Sequence, residues 1–258
     1  MSKSDPIGVE YYKPLQIAEK SGDILFYLAA ILSVATLVVE KDKSLELNNL
    51  VQALFAVSVL LLFLIGLAVR LHWSTRAQTK RMSDLMSHAF ELPLIPETSK
   101  EYYNNVESEP LKRLAASLLE NTLFSKEILQ KMLTWERVMS ITYGTIWLLL
   151  ALNRKADLSI VSAAAQVVFS EQILSKWVRM EWLRARVERI YDDTYSLIQS
   201  SNAGWSKEYR ARVIEYLLRY ETGKAQAGIS LSSSVFKKMN PALSKRWADT
   251  ANTLGIHV

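Results

Sequence analysis

The sequence predicts an all-α membrane protein: four transmembrane helices arranged as two hairpins, with long helices extending into a helical cytoplasmic domain. Three observations carry this expectation. The run from Leu50 to Val69 holds no charged residue and only Gln52 and Ser58 as polar interruptions, which is long enough to cross a hydrocarbon core as a helix. Helix-length apolar stretches come in pairs split by short charged turns. Ile24–Val39 and Leu50–Val69 flank a spacer beginning Glu40-Lys41-Asp42-Lys43, while Val138–Leu152 and Leu158–Ile173 flank Asn153-Arg154-Lys155-Ala156-Asp157. No segment shows the alternation of a convincing β-strand.

Taken in chain order, residues 1–22 form a cytoplasmic N-terminus without the basic n-region and small-residue cleavage site of a signal peptide. Residues 23–72 are the first transmembrane hairpin. From Leu45 to Phe90 there is no proline and one glycine, Gly66, so the second membrane helix is expected to run on through Arg70, Trp73 and Arg76 to His88, and to stop near Pro93 and Pro96. Residues 73–137 are a cytoplasmic helical insert whose irregular stretch is Glu97–Pro110. Leu111–Leu152 reads as one long helix entering the second hairpin, residues 138–173.

Residues 174–258 form a cytoplasmic helical C-terminal region. Leu158–Asn202 contains neither Gly nor Pro and is expected as one helix, with Met180, Leu183, Val187, Ile190, Thr194 and Leu197 as its packing seam. After Asn202-Ala203-Gly204, Ser206 is a plausible N-cap for a helix to about Thr222, with Val213, Ile214, Leu217 and Leu218 on one face and Gly223 ending it. Two shorter helices are expected next, near Ser232–Met239 and between Pro241 and Leu254, with Gly255 near the end.

The chain has 258 residues, 22% of them charged, a net charge of +5 and a mean hydropathy of only +0.06, an average over apolar hairpins and highly charged aqueous segments. Basic residues are interspersed with acids rather than gathered into a stripe, so a nucleic-acid polymer is not an expected partner. The absence of cysteine removes disulfides, thiolate metal sites and cysteine nucleophiles. The short turns hold Lys41, Lys43, Arg154 and Lys155. The other 27 of 31 basic residues lie on the opposite side, Arg70, Arg76, Lys80, Arg81, Arg137, Lys176 and Arg179 among them close to helix ends, which places both termini in the cytoplasm. Trp73, Trp135 and Trp177 fall near that same boundary, as an aromatic belt would.

The fourth apolar stretch is the least apolar, and its polar residues Ser159, Ser162, Gln166 and Ser170 recur at steps of three and four. A polar helix face in lipid is costly, so it either lines a water-filled path or bonds to neighbouring helices, where Ala163, Ala164 and Ala165 favour close packing. In a homo-oligomer the two roles merge. Glu171 then contributes a ring of acid or an interfacial carboxylate. Enzyme signatures are scarce: His72, His88 and His257 lack metal-site spacing, no phosphate loop or Gly-x-Ser-x-Gly is present, and Ser230–Ser234 reads as helix capping. No charged pair inside the membrane, of the kind a proton-coupled pump uses, is apparent. Neither a catalytic residue nor a metal or other cofactor is expected.

The aqueous part carries groups suited to a phosphorylated, base-bearing ligand. Tyr102, Tyr103, Asn104 and Asn105 lie together, and Arg179, Arg184, Arg186 and Arg189 crowd one helix, so stacking, amide hydrogen bonds and guanidinium–phosphate contacts are all on hand. The competing reading is a solvated helix face with pairs such as Arg184 with Glu188.

The layout resembles the SMODS-associated four-transmembrane effectors of bacterial nucleotide-signalling (CBASS-like) anti-phage defence. Gln78–Leu92 (QTKRMSDLMSHAFEL) is similar to the family's segment after the second membrane helix, although Met82-Ser83-Asp84-Leu85 stands where a Gln-Glu-Phe type signature is expected. Glu120-Asn121-Thr122-Leu123-Phe124 resembles its polar motif before the third helix. Tyr220-Glu221-Thr222-Gly223-Lys224-Ala225, Gly228-Ile229-Ser230-Leu231-Ser232, Phe236, Asn240 and Trp247 resemble its carboxyl-terminal block. The resemblance implies an inner-membrane effector that senses a cyclic di- or oligonucleotide from a partner synthase and compromises the bilayer, causing growth arrest or death. Tyr103, Asn105, Arg179, Arg184, Arg186 and Lys224 are the expected ligand contacts. A constitutive channel subunit or scaffold that binds a protein partner through its cytoplasmic helices is the alternative.

Overall fold

The computed structural model describes residues 4–39, 44–100, 102–153, 157–200 and 206–258. Among them the only strand-like feature is an isolated antiparallel bridge, in which Ser4 and Lys100 exchange backbone hydrogen bonds of 3.1 and 2.9 Å. Everything else regular is helical. A π-helical turn, Gly8–Tyr12, leads into α1 (Lys13–Val38); α2 (Leu45–Ala68) passes through a second π-helical turn, Val69–Trp73, into α3 (Ser74–Phe90). The long α4 spans Pro110–Leu152, α5 Leu158–Val168, a third π-helical turn Glu171–Ser175, α6 Lys176–Ser200, α7 Lys207–Ala227 and α8 Ser233–Leu254. The turn residues Lys41, Lys43, Arg154 and Lys155, and the Asn202-Ala203-Gly204 break, lie outside the described residues.

The chain divides into two compact units. Unit 1 comprises residues 1–12, 75–133 and 179–258; unit 2 comprises residues 13–74 and 134–178. Every crossing from one to the other falls inside a helical run.

Unit 2 contains α1, α2, the second half of α4 and α5. In its first hairpin Asn48 Nδ2 donates to the Val39 carbonyl at 3.0 Å near the turn, and Gly22 lies against Ile65, 3.8 Å from where its Cβ would stand. The two contacts share one antiparallel register. Buried residues are few, Leu15, Phe26, Asn48, Ser58, Val168 and Ile173 among them, whereas Ile31, Leu60, Phe63, Leu64 and Leu149 point outward. An apolar exterior of this kind is what lipid requires and water penalises.

Among the described residues, three helical runs are long and apolar enough to cross a membrane: Gly8–Leu37, Leu45–Phe90 and Leu158–Ser200. This is a membrane protein by composition and length. Val138–Leu152, expected as a further span, is not among them. Extending it to spanning length takes in Glu136 and Arg137, and Ser140, Thr142, Tyr143, Gly144 and Thr145 dilute its interior.

Unit 1 has an ordinary water-soluble core. Ala116, Leu119 and Leu123 of α4, Tyr191 of α6, and Trp247, Ala251 and Ile256 from α8 and the tail form one buried cluster. The expected α6 seam is buried at Met180, Leu183, Val187, Ile190 and Thr194 and half-buried at Leu197.

Four local expectations change. Leu158–Ser200 is broken at Phe169–Ser170, where Ser170 takes extended backbone (φ −64°, ψ 163°) without the Gly or Pro that ordinarily marks such a point. The helix capped by Ser206, whose Oγ accepts from the Tyr209 N–H at 3.2 Å, runs past Gly223 to Ala227 and ends on Gly228 at φ 58°. Gly223 is instead buried, with Arg186 Cδ and Nε 2.8 Å from its Cβ position, so its missing side chain makes room for an arginine. On that helix Val213 and Leu217 are buried but Ile214 and Leu218 are exposed, because Tyr209, Val213, Leu217 and Tyr220 define the inward stripe. Finally, α8 is a single helix from its Ser232 cap to Gly255, with Pro241 inside it; packing of Leu243 and Trp247 outweighs the one backbone bond that a proline removes.

Candidate functional site

The densest polar constellation of unit 1 forms where the N-terminal segment, α3 and the irregular segment 91–109 meet. Residues 78–90 of α3 present Arg81, Asp84 and His88 at helical steps of three and four, so all three face the same way. Asp84, buried, accepts from the Ser99 N–H (2.8 Å), the Ser99 hydroxyl (2.7 Å) and the Tyr103 hydroxyl (3.3 Å). Arg81 Nη2 donates to Asp5 Oδ2 at 2.9 Å, and Arg81 Nη1 stands 3.6 Å from Asp84.

The guanidinium of Arg81 also lies over two rings, 4.2 Å from the Tyr102 centroid and 5.4 Å from that of Tyr12. Tyr103 meets Tyr102 edge-on at 5.0 Å and stacks on His88 at 4.7 Å. Arg76 and Lys80 cover Tyr11 in the same manner, and Lys80 pairs with Glu97 at 3.1 Å. Cations over aromatic faces and a carboxylate with three donors are mutually stabilising where water is scarce.

The protonation states follow from that setting. Burial would lower the Arg81 pKa, but Tyr102 and Asp5 outweigh it and hold the guanidinium charged. Burial, then Asp84, pushes the Tyr103 phenol up, so it stays a neutral donor; burial also raises Tyr102, against the pull of Arg81. Burial, helped by Arg113, pushes His88 down and leaves the imidazole neutral near pH 7.

Of the residues expected to contact a ligand, Arg179, Arg186 and Lys224 come together along the 219–228 stretch, while Arg184 and Asn105 turn to α4. Tyr103 is in the cluster just described. Asn105 is buried and donates to Ser117 Oγ at 2.9 Å, with its Oδ1 enclosed and unpartnered. Arg184 turns toward α4, donating to Gln130 Oε1 at 2.6 Å and pairing with Glu188 at 2.9 Å, the i,i+4 pair anticipated from sequence. Arg186 Nε donates to the Arg219 carbonyl at 3.1 Å while its guanidinium lies 5.3 Å from the Trp182 ring. Arg179 donates to the Ala227 carbonyl at 3.3 Å.

Lys224 pairs with Glu221 at 2.9 Å and covers the Tyr220 ring at 4.6 Å; its charge also acts on Tyr12 and Tyr102. Lys224 and Tyr103 therefore border one region, to which sequence reasoning would have had to add Asp5, Tyr12, Arg81 and Asp84. No spacing rule links residue 5 to residue 81. The three-step repeat Arg81, Asp84, Ser87 was the available signal, and it reads equally as a solvated face.

In unit 2, Ser159, Ser162 and Gln166 share an exposed face of α5, but Ser170 lies beyond its end. Ser159 is engaged locally: Asp157 caps the helix, accepting from the Ser159 N–H (2.8 Å) and hydroxyl (2.7 Å). Glu171 is ion-paired with Arg70. Of Trp73, Trp135 and Trp177, Trp135 is the exposed one.

No protein-family model, curated protein or solved structure matches this chain. Among the described residues, no group of three or more His, Asp or Glu side chains is placed to hold a metal ion.

Proposed function

We propose that this protein is a multi-pass effector of the bacterial inner membrane with cytoplasmic termini, controlled by a cyclic di- or oligonucleotide from a partner synthase. It acts in anti-phage defence, as a homo-oligomer, by forming a pore through its two hairpins or disrupting the bilayer. The observation that carries the reading is helical continuity: α4 joins unit 1 to the apolar-surfaced unit 2 as one unbroken α-helix, and the Leu45–Phe90 run joins them through the π-helical turn Val69–Trp73. Ligand-dependent rearrangement in one unit therefore has a stiff backbone route to the other. The aromatic and cationic side chains around Arg81, Tyr102, Tyr103 and Lys224 supply the chemistry for a base and a phosphate. All four already hold partners within the protein, so nucleotide binding has to exchange those contacts for its own.

The test is expression in bacteria with and without candidate cyclic di- and oligonucleotides while membrane potential is followed. The proposal expects one nucleotide class to change the potential, and R81A to abolish that response while leaving the protein in the membrane. An unchanged potential under every nucleotide, with the genomic neighbour synthase present and infection applied, overturns it.

A further inference from the structure

Unit 2 carries charged and phenolic side chains at the end remote from its turns, and they come from each of its helical runs. Asp23 and Tyr27 lie on α1, Arg70 in the π-helical turn after α2, Glu136 and Tyr143 on α4, and Glu171 and Lys176 at either end of the π-helical turn after α5. Two ion pairs connect them. Arg70 Nη2 pairs with Glu171 Oε1, and Lys176 Nζ pairs with Glu136 Oε1 at 2.9 Å, with Asp23 and Tyr27 also acting on the Lys176 ammonium. Glu136 is the most enclosed of the four paired side chains, at 16% exposure.

The broken helix makes this arrangement possible. At Ser170 the backbone is extended, after which the chain resumes as a π-helical turn whose first residue is Glu171 and whose successor is Lys176. One short segment thus offers an anion to the extension of α2 and a cation to α4. The break itself is lightly held: the Ser170 hydroxyl and the Trp147 indole N–H are enclosed without hydrogen-bond partners, and the Trp147 ring meets Phe169 edge-on at 5.1 Å. An interrupted membrane helix persists where neighbouring helices cover it, and such interruptions absorb backbone rotation.

We propose that the Arg70–Glu171 and Lys176–Glu136 pairs form an electrostatic latch that holds the helices of unit 2 closed, with Phe169–Ser170 as the hinge, and that parting the pairs opens the bundle to ions. At a lipid boundary, charges are tolerated either paired or in contact with water, and an intermediate dry, unpaired state is costly. Parting Lys176 from Glu136, the enclosed pair, therefore requires water to enter among the helices, which makes that half of the latch two-state, whereas Arg70 and Glu171 form an outer, exposed clasp. The proposal rests on the permeabilising role given above for what opening does, and not on any nucleotide.

The experiment uses the full chain in bacteria with neither nucleotide nor synthase. Single charge reversals R70E, E171R, E136K and K176E are compared with the swaps R70E/E171R and E136K/K176E by membrane-potential dye. Protein amount and monodispersity are followed by size exclusion in detergent. The latch predicts that the single reversals depolarise the cells and that each swap restores the wild-type potential. Wild-type potential in all single reversals, or swaps that depolarise as strongly as their parents, overturns it. Should a reversal lower the amount of monodisperse protein, the milder E136Q and E171Q carry the same prediction of depolarisation, and a wild-type potential in both overturns it. Swap-rescued depolarisation without response to any nucleotide keeps the latch and removes nucleotide control, so the two proposals fail separately.

Discussion

The two halves of α4 are one helix built for two solvents. Between Leu114 and Leu133 its large apolar residues are turned inward, with Leu118, Leu119, Leu123, Leu129 and Leu133 fully buried; beyond Val138 they are turned outward, Leu149 and Leu152 being 65% and 70% exposed. Propensity alone does not decide these halves, since the helix runs unbroken through Thr142, Gly144 and Thr145, which favour it little. What distinguishes them is where polarity sits. In unit 1 a buried carboxylate such as Asp84 finds its donors in a distant segment, at Ser99 and Tyr103, and the helix exteriors carry ion pairs such as Arg246–Glu127 at 2.7 Å. In unit 2 the exterior is apolar and charge is gathered at the ends. The same side chain therefore has opposite energetic meaning on either side of residue 133.

The largest effect is expected at the polar core of unit 1. D84A leaves Arg81, the Ser99 N–H and the Tyr103 hydroxyl short of an acceptor in a buried setting, a loss of about 3–5 kcal/mol by the behaviour of buried charge networks. Denaturation of the detergent-solubilised protein, followed by tryptophan fluorescence, checks it. A loss no larger than that of an exposed change such as K207A would show that the cluster is water-filled rather than packed.

Next in size is a matched pair of leucines. L119A, in the core cluster, is expected to destabilise by about 2–5 kcal/mol, whereas L60A on the outward face of α2 is expected to change stability in detergent by less than about 0.5 kcal/mol, because lipid or detergent fills the vacated space. Equal losses would dissolve the contrast between the units.

The smallest effect is a pH dependence confined to unit 1. The folded His88 pKa lies below its ordinary value near 6.5, so the unfolded chain binds the proton first, and stability conferred by the neutral imidazole is present above that value and drains away as pH falls below it. H88Q should flatten the part of the melting-temperature decline between roughly pH 7 and 5 that the histidine causes. An identical decline in wild type and H88Q would assign the acid sensitivity elsewhere.

Three of the four apolar runs, the long α4 to within a residue of its start, the Ser206 and Ser232 caps and the α6 seam were legible because each is written locally, in periodicity or in a capping residue. The break at Phe169–Ser170 was not, since no residue there forbids helix; nor was the continuity of α8 through Pro241, which tertiary packing decides. The candidate site was half legible. Tyr103 was singled out by residue type and Lys224 within the resembling carboxyl-terminal block, while Asp5, Tyr12 and Arg81 meet only because the N-terminal segment returns to α3. Arg70 and Glu171 were each visible near helix ends, but a pairing across 101 positions leaves no trace in either neighbourhood. The arginines of α6 are clustered in sequence, but their partners are not written there: Arg184 turns to Gln130 of α4, whereas Arg186 and Arg179 both reach α7, at the Arg219 and Ala227 carbonyls.

The claim that one chain serves two solvents is tested most directly by cysteine labelling, because the native sequence has no cysteine to remove. Single cysteines are placed at Glu215 in unit 1 and at Leu60 and Leu149 in unit 2, and intact cells and inside-out vesicles are treated with a membrane-impermeant maleimide. The prediction is that E215C labels in inside-out vesicles but not in intact cells, and that L60C and L149C label in neither until the membrane is dissolved in denaturant. Ready labelling of L60C and L149C in both preparations, at a rate matching E215C in vesicles, would contradict it.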